Sequence, residues 1–411
     1  MKILLLNQAF YPDVASTAQH AGDLAVELSK RRHDVTVLCD SRAYDTRSVR
    51  YSKHEVWHGI RILRIPSFGF GKKARWRRAA DFGSYLVSCI LKLALLSRFD
   101  VVISMTSPPL ISWLGALFIQ LKGGYLVLWV MDLNPDEALA AGWLKANSLT
   151  TRCLTSLMLH SLHRAKTIVA LDRFMARRIE RKGIAPDKIV VVPPWSHDHV
   201  VRYDAAGRVC FREEHGLQGK FVVMHSGNHS PCHPLTTLLD AARRLADQPD
   251  IVFTFVGGGA EFETVRDYAQ RHGLKNIVML PYQPLDHLAA SLSSADLHVV
   301  VMGDAYVGIV HPCKVYNIRT MSIPYLYIGP SVSHISEMNP RFTARHGEVE
   351  VVVRQIKEAA ESRFSKLSPP EDAAKHGQDQ LVAKLVDTVE AAGIYEAQIK
   401  GKLWRSKNEY S

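Results

Sequence analysis

The run Val222-Val223-Met224-His225-Ser226-Gly227-Asn228-His229 is apolar and stops on glycine, and Ile251-Val252-Phe253-Thr254-Phe255-Val256-Gly257-Gly258-Gly259 repeats that pattern about thirty residues later. A helical pattern, Leu235 to Leu245, lies between them. The three pieces describe a β-α-β unit whose strand ends face a ligand, the arrangement of a nucleotide site. A diphosphate held there needs N–H donors and cations fixed in advance, because these stabilise growing negative charge without reorganising solvent. Gly227, Asn228 and His229, with Ser230, open onto the following helix, and His233 and Lys314 are the candidate cations. The competing assignments are ordinary loop polarity for the histidines and a surface cation at a helix start for Lys314.

A second constellation is Gly308-Ile309-Val310-His311-Pro312-Cys313-Lys314-Val315-Tyr316-Asn317, which joins a flexible glycine, a proline turn and a helix start. It reads as a ligand loop or as a structural cap. In the first half, Asp132 follows the apolar run Tyr125 to Val130. A carboxylate at the carboxyl end of a strand can orient a hydroxyl; its other reading is a helix cap ahead of Pro135. Ser16 and Thr17, with Gln19 and His20 beyond them, can hydrogen-bond phosphate or an acceptor from the first loop. No carboxylate pair is marked as nucleophile and acid, and the six cysteines show no metal-type spacing; neither a metal nor a resident cofactor is expected.

The elements that must carry these residues alternate. Strands are expected at Ile3–Leu6, Asp34–Leu38, Arg61–Ile65, Val101–Ser104, Tyr125–Val130, Thr167–Leu171 and Ile189–Val192, with helical patterns between them. Pro193-Pro194-Trp195 then breaks the chain, since paired prolines forbid a continued helix or central strand. The second half repeats the scheme at Val222–His225, Val252–Val256, Ile277–Leu280, Leu297–Met302 and Tyr325–Ile328. The expected fold is therefore α/β: two Rossmann-like, doubly wound parallel sheets facing across a ligand cleft. The expected domains are 1–194, 195–379 and a helix with tail at 380–411 that packs back on the first domain, its helix running from about Gln380 to Ala392.

Charge is unevenly placed. Between Arg42 and Arg98 thirteen Lys or Arg face three carboxylates, so ten of the net +11 charges sit in that segment. The cluster Lys72, Lys73, Arg75, Trp76, Arg77 and Arg78 precedes the apolar run Tyr85 to Leu96. Basic residues beside Trp and Leu suit an anionic membrane face, with a solvated face beside a core helix as the plainer alternative. Nucleic acid is excluded for want of interleaved aromatics or a recognition motif. No apolar stretch reaches the ~18–20 residues of a spanning helix, because Ser107-Pro108-Pro109 and Lys122-Gly123-Gly124 interrupt the best region. Six cysteines without pairing spacing suit a reducing cytoplasm, and the expected location is peripheral, at the inner face of the cytoplasmic membrane.

The order of these segments resembles the family 4 retaining glycosyltransferases of the GT-B fold, and among them those that build envelope polysaccharides. The resemblance rests on Met1 to Pro12 followed by Leu24 to Val37, on Ala170-Leu171-Asp172-Arg173-Phe174-Met175 through Gly183, on Phe255 to Gly259, on Leu280-Pro281-Tyr282 and on Lys314-Val315-Tyr316-Asn317. It implies a metal-independent hexosyl- or N-acetylhexosaminyltransferase that takes a nucleoside-diphosphate sugar, expected to be UDP-linked, as co-substrate. The acceptor is expected to be a membrane-borne glycan or lipid-linked precursor. The resemblance also implies that backbone amides of Gly308, Ile309 and Val310 approach the sugar, that Asn317 approaches the ribose and that the backbone at Tyr282 meets the base. Asp132 would lie near the reacting carbon. Two glutamates usual in the family, eight positions apart, are replaced by Ile309 and Asn317. That departure keeps open a non-catalytic nucleotide-sugar or glycan binding protein, and the two-domain shape keeps open a nucleotide-sugar epimerase.

Overall fold

A computed structural model describes residues 1–44, 48–70, 75–196, 201–362 and 377–408. The chain divides into two compact units, Met1–Pro193 with Asp379–Ser411, and Pro194–Gln378.

The first unit runs β1 (Lys2–Leu6), α1 (Ser16–Lys30), β2 (Asp34–Asp40), β3 (His54–Trp57), β4 (Ile60–Ile65), α2 (Arg75–Leu95), β5 (Val101–Ser104), α3 (Ile111–Lys122), β6 (Tyr125–Trp129), α4 (Asp136–Ala140), α5 (Leu149–Arg164), β7 (Thr167–Ala170), α6 (Arg173–Glu180) and β8 (Ile189–Val191). Its sheet is ordered β3-β4-β2-β1-β5-β6-β7-β8, with only β3 antiparallel to its neighbour. Ile3 to Leu6 of the central β1 are wholly buried, as a parallel strand covered on both faces must be. Helix entries are fixed by side-chain caps: Ser148 accepts from the Thr151 amide ahead of α5, and Asp172 from the Phe174 and Met175 amides ahead of α6.

The second unit runs α7 (Ala205–Glu214), β9 (Phe221–Asn228), α8 (Thr236–Arg244), β10 (Ile251–Gly258), α9 (Ala260–His272), β11 (Ile277–Leu280), α10 (Leu288–Ser293), β12 (Leu297–Val301), α11 (Lys314–Thr320), β13 (Tyr325–Ile328), β14 (Phe342–Ala344) and α12 (Val349–Ser362). Its six strands are all parallel, in the order β11-β10-β9-β12-β13-β14. Val223, Phe253, Phe255, Val299 and Leu326 form the core with Leu238, Leu239, Val352 and Ile356 from the helices. Asp296 ties α7 to the sheet: its carboxylate accepts from the Val222 amide at 2.7 Å and from Arg212 at 2.6 Å, and also pairs with Arg208.

The two doubly wound parallel sheets are those expected from the sequence. The last helix, α13 (Gln378–Asn408), belongs to the first unit and extends well past the expected Ala392. Arg31 donates to Asp387 and Glu390 of α13 at 2.6 and 3.0 Å, and His33 meets Glu390 at 2.8 Å.

Candidate functional site

Ligands in open α/β sheets bind where strand order reverses, at the carboxyl ends. In the second unit that point lies between β9 and β12. Gly227 pairs with Gly257 and Asn228 with Gly258 at the ends of β9 and β10. Gly257 has φ +131°, and a Cβ there would meet the Gly227 carbonyl oxygen at 2.1 Å, so no other residue fits this close approach.

Beside Gly227 sits the Lys314 ammonium. A Cβ on Gly227 would lie 3.4 Å from Lys314 Nζ, which in turn is 3.2 Å from His225 Nε2. The His225 Nδ1 lies 3.0 Å from the Val299 carbonyl, which can only accept, so Nδ1 carries the proton and Nε2 offers its lone pair to Lys314. Burial, Lys314 and the neighbouring histidines hold His225 well below the usual imidazole range. The same causes, burial first and Lys314 second, bring His229 down to about 4 and His233 to about 3. Burial lowers Lys314 itself to about 8, with Cys232 opposing. Among the described residues the cluster therefore holds one cation beside neutral imidazoles.

Two expectations are corrected here. His233 is no cation: it is buried and donates Nδ1–H to the Val301 carbonyl at 2.6 Å. Several backbone amides expected to face a ligand are used within the fold. His229 N–H donates to Gly258 O at 2.8 Å, and the amides of Ile309 and Val310 donate to Tyr306 O at 2.9 and 3.2 Å, because a tight turn satisfies its own donors first. The His229 ring is fully buried against Phe255 and Phe262, and neither ring nitrogen makes a well-formed hydrogen bond, although backbone at Gly227 and Gly258 lies near enough to favour protonation slightly.

Gly308 takes φ +69°, and Ile309 and Val310 are buried. Lys314 opens α11, and Asn317, one turn later and half-buried, lies on the same side of that helix. Tyr282 is largely exposed, with its hydroxyl donating to Gly258 O at 3.2 Å. Lys314, Gly227, Asn228, Gly257 and Tyr282 are thus gathered around the ends of β9 and β10. His225 was missed: it sits inside an apolar strand pattern, and its partner is 89 residues away.

In the first unit Asp132 follows β6, and its amide and that of Met131 each donate to Thr106 Oγ1 at 3.1 Å. The residue at the N-cap of α4 is Pro135, which makes no side-chain cap. Asp132 lines a small, mainly apolar cavity of about 110 Å³ with Leu110, Trp113, Leu144, Leu154 and Met158. Ser16 and Thr17 lie in the first turn of α1 rather than in a loop. Ser16 is exposed, while His20 is buried with Nδ1 2.7 Å from Ser16 O. Of the basic cluster, Lys72 and Lys73 fall outside the described residues. Arg75 and Arg78 lie in α2 without described side chains; Trp76 is exposed and Arg77 stacks over its ring at 5.4 Å.

Residues 17–195 match the model of a glycosyl transferase 4-like domain, and residues 210–311 that of glycosyl transferases group 1. WcaI of Escherichia coli, whose name assigns it a glycosyl transferase step in colanic acid biosynthesis, is 27% identical over 77% of this chain and 81% of its own. WbjE of Pseudomonas aeruginosa, named as a glycosyltransferase, is 26% identical over 59% of this chain and 60% of its own. Among solved structures, Anabaena HepE with UDP and glucose superposes with a TM-score of 0.70 at 16% identity, over 95% of this chain and all of that one. WaaG, a glycosyltransferase of lipopolysaccharide biosynthesis, gives 0.66 at 14% identity over 94% and 99%.

Proposed function

We propose, for a chain that belongs to the family 4 glycosyltransferases of the GT-B fold, that it moves a hexose or N-acetylhexosamine from a UDP-sugar to a membrane-associated glycan or lipid-linked acceptor, with retention at the anomeric carbon. WcaI is named for colanic acid biosynthesis and WaaG for lipopolysaccharide biosynthesis, and UDP is bound in a structural neighbour. The observation that carries the reading is the ammonium of Lys314 beside Gly227, held by His225 Nε2 at 3.2 Å.

An ammonium set among neutral imidazoles suits a ligand that brings its own negative charge. Lys314 neutralises the diphosphate as the sugar bond breaks, which lowers the barrier only if that interaction strengthens with the growing charge. The departing phosphate oxygen takes the acceptor hydroxyl proton, so the step needs neither metal nor protein nucleophile. Asp132 is assigned to orient the acceptor hydroxyl, and Asn317 to hydrogen-bond the donor ribose in place of the family's glutamate.

A thermal-shift panel of UDP, GDP and ADP tests the donor assignment. UDP at about a hundred times its dissociation constant stabilises by about 2.7 kcal/mol. Failure of every nucleoside diphosphate to stabilise would end the proposal. Asp132→Asn should keep the UDP shift and lose transfer, and an inverted product anomer would remove the retaining assignment. UDP binding with no turnover on any lipid-linked acceptor would favour the binding-protein alternative, to which the missing carboxylates at Ile309 and Asn317 point.

A further inference from the structure

Strand order reverses between β9 and β12, and their ladder is short, pairing Val223 with Leu297 and Met224 with His298. Past that point the two strands part. The His298 and Met302 amides donate to Pro324 O and Ile328 O on the β13 side, so Val299 and Val301, which alternate with them, turn their backbone groups toward β9 and the gap. A buried carbonyl needs a donor. Two imidazoles supply it: His225 of β9 donates Nδ1–H to Val299 O at 3.0 Å, and His233 of the following loop donates to Val301 O at 2.6 Å.

That anchor decides what the other nitrogen of His225 does. With Nδ1–H on Val299, Nε2 carries a lone pair, and the Lys314 ammonium lies 3.2 Å from it. The ring has little freedom to turn, since it is 1% exposed, T-shaped against His229 at 4.9 Å and tilted on Phe255 at 6.5 Å. Lysine, by contrast, ends a flexible stem. A fixed acceptor selects one place for its ammonium, and bare backbone makes room there, because a Cβ on Gly227 would come 3.4 Å from both Cε and Nζ of Lys314. His225 takes one N–H of the ammonium, and a diphosphate oxygen can take another from a cation already in place.

We propose that His225 is a positioning residue of the diphosphate site: anchored on Val299 O, it fixes the Lys314 ammonium beside Gly227 before the ligand arrives. The inference rests on the nucleoside-diphosphate reading of this site and adds the group that orders its cation. The other titratable groups coupled to Lys314 are His229, His233 and Cys232 on the loop after β9 and His298 on β12. They stay unchanged in every variant of the test.

The test compares His225→Phe and His225→Leu, which fill the space without either nitrogen, with His225→Gln, whose amide has both a donor and an acceptor. Either apolar variant suffices if the other does not fold. Two readouts are taken: an NMR titration of the Lys314 ε-carbon in isotopically labelled protein, assigned with Lys314→Met, and calorimetric affinity for UDP. An acceptor at the ammonium favours its charged form, so the apolar variants should move the Lys314 titration down from about 8 by about one pH unit. They should also weaken UDP about tenfold at neutral pH, and His225→Gln should recover most of both. A histidine that only fills space would change the melting temperature and leave the titration in place. An unmoved titration in the apolar variants, or one that moves while UDP affinity keeps its wild-type value, overturns the proposal. Wild-type protein that binds no nucleoside diphosphate ends the donor reading instead, and the Lys314 titration still judges whether His225 holds the ammonium.

Discussion

Replacing Lys314 by methionine should make the unliganded protein more stable and its nucleotide complex weaker. A lysine near 10.5 when unfolded is lowered to about 8 by burial in the folded unit, so below pH 8 the folded state carries a protonation penalty. At 1.36 kcal/mol per pKa unit that gap corresponds to about 3 kcal/mol. Part of the residue reaches solvent, and screening brings the figure to about 1–2 kcal/mol. The sign follows from proton counting. Between about pH 8 and 10.5 the unfolded chain binds more protons than the folded one, so stability of the wild type rises over that window. Lys314→Met removes the penalty and should raise the melting temperature at pH 7 by about 2–6 °C. The same change deletes a charge-assisted hydrogen bond to diphosphate, about 1.5–3 kcal/mol, or roughly ten- to a hundredfold in affinity for UDP. Wild-type affinity should also fall as pH rises past 8, and the variant should lose that dependence. Calorimetric titration with UDP across pH 6.5–9.5 (about three units, bracketing the lysine), with melting curves alongside, reads both effects. A variant that melts lower and binds UDP as tightly as the wild type would refute the assignment of Lys314.

Two other changes probe the frame that holds this site. Gly257→Ala forces a Cβ onto the Gly227 carbonyl at 2.1 Å with φ +131°, and should cost at least about 2 kcal/mol of stability as well as UDP binding; urea titration checks it. Asp296→Asn leaves Arg208 and Arg212 without their carboxylate partner and should destabilise the second unit by about 2–3 kcal/mol, seen as a lower urea midpoint with an unchanged product anomer.

The long parallel strands were legible because both of their faces are buried. Ile3 to Leu6 and Val252 to Val256 read as continuous apolar runs for that reason. Two of the edge strands, β3 and β14, were not. β3 has only four residues with alternating half-exposed positions, and β14 has three, too little pattern to separate either from a loop. The glycines of the donor turn stood out because close backbone approach demands them. Which donors remain free did not, since the hydrogen bonds of His229, Ile309 and Val310 depend on how each turn closes on itself. Lys314 was recoverable as a residue at a helix start, but its partnership with His225 needed the sheet to bring β9 and α11 together. The basic stretch before Tyr85 signalled a surface, whereas the inward side of α2 emerged only once Tyr85, Cys89 and Leu93 were placed in the core.

The first unit is assembled from two separated segments, Met1–Pro193 and Asp379–Ser411, with the second unit between them in the chain. A ribosome therefore delivers the whole of the second unit before the residues that satisfy Arg31 and His33 exist outside the exit tunnel. During synthesis the inserted unit can reach its native packing while the earlier one waits unfinished, the reverse of simple vectorial order. Premature termination after Gln378 would release a complete second unit attached to a first unit whose side facing α13 is bare, a species marked out for quality control.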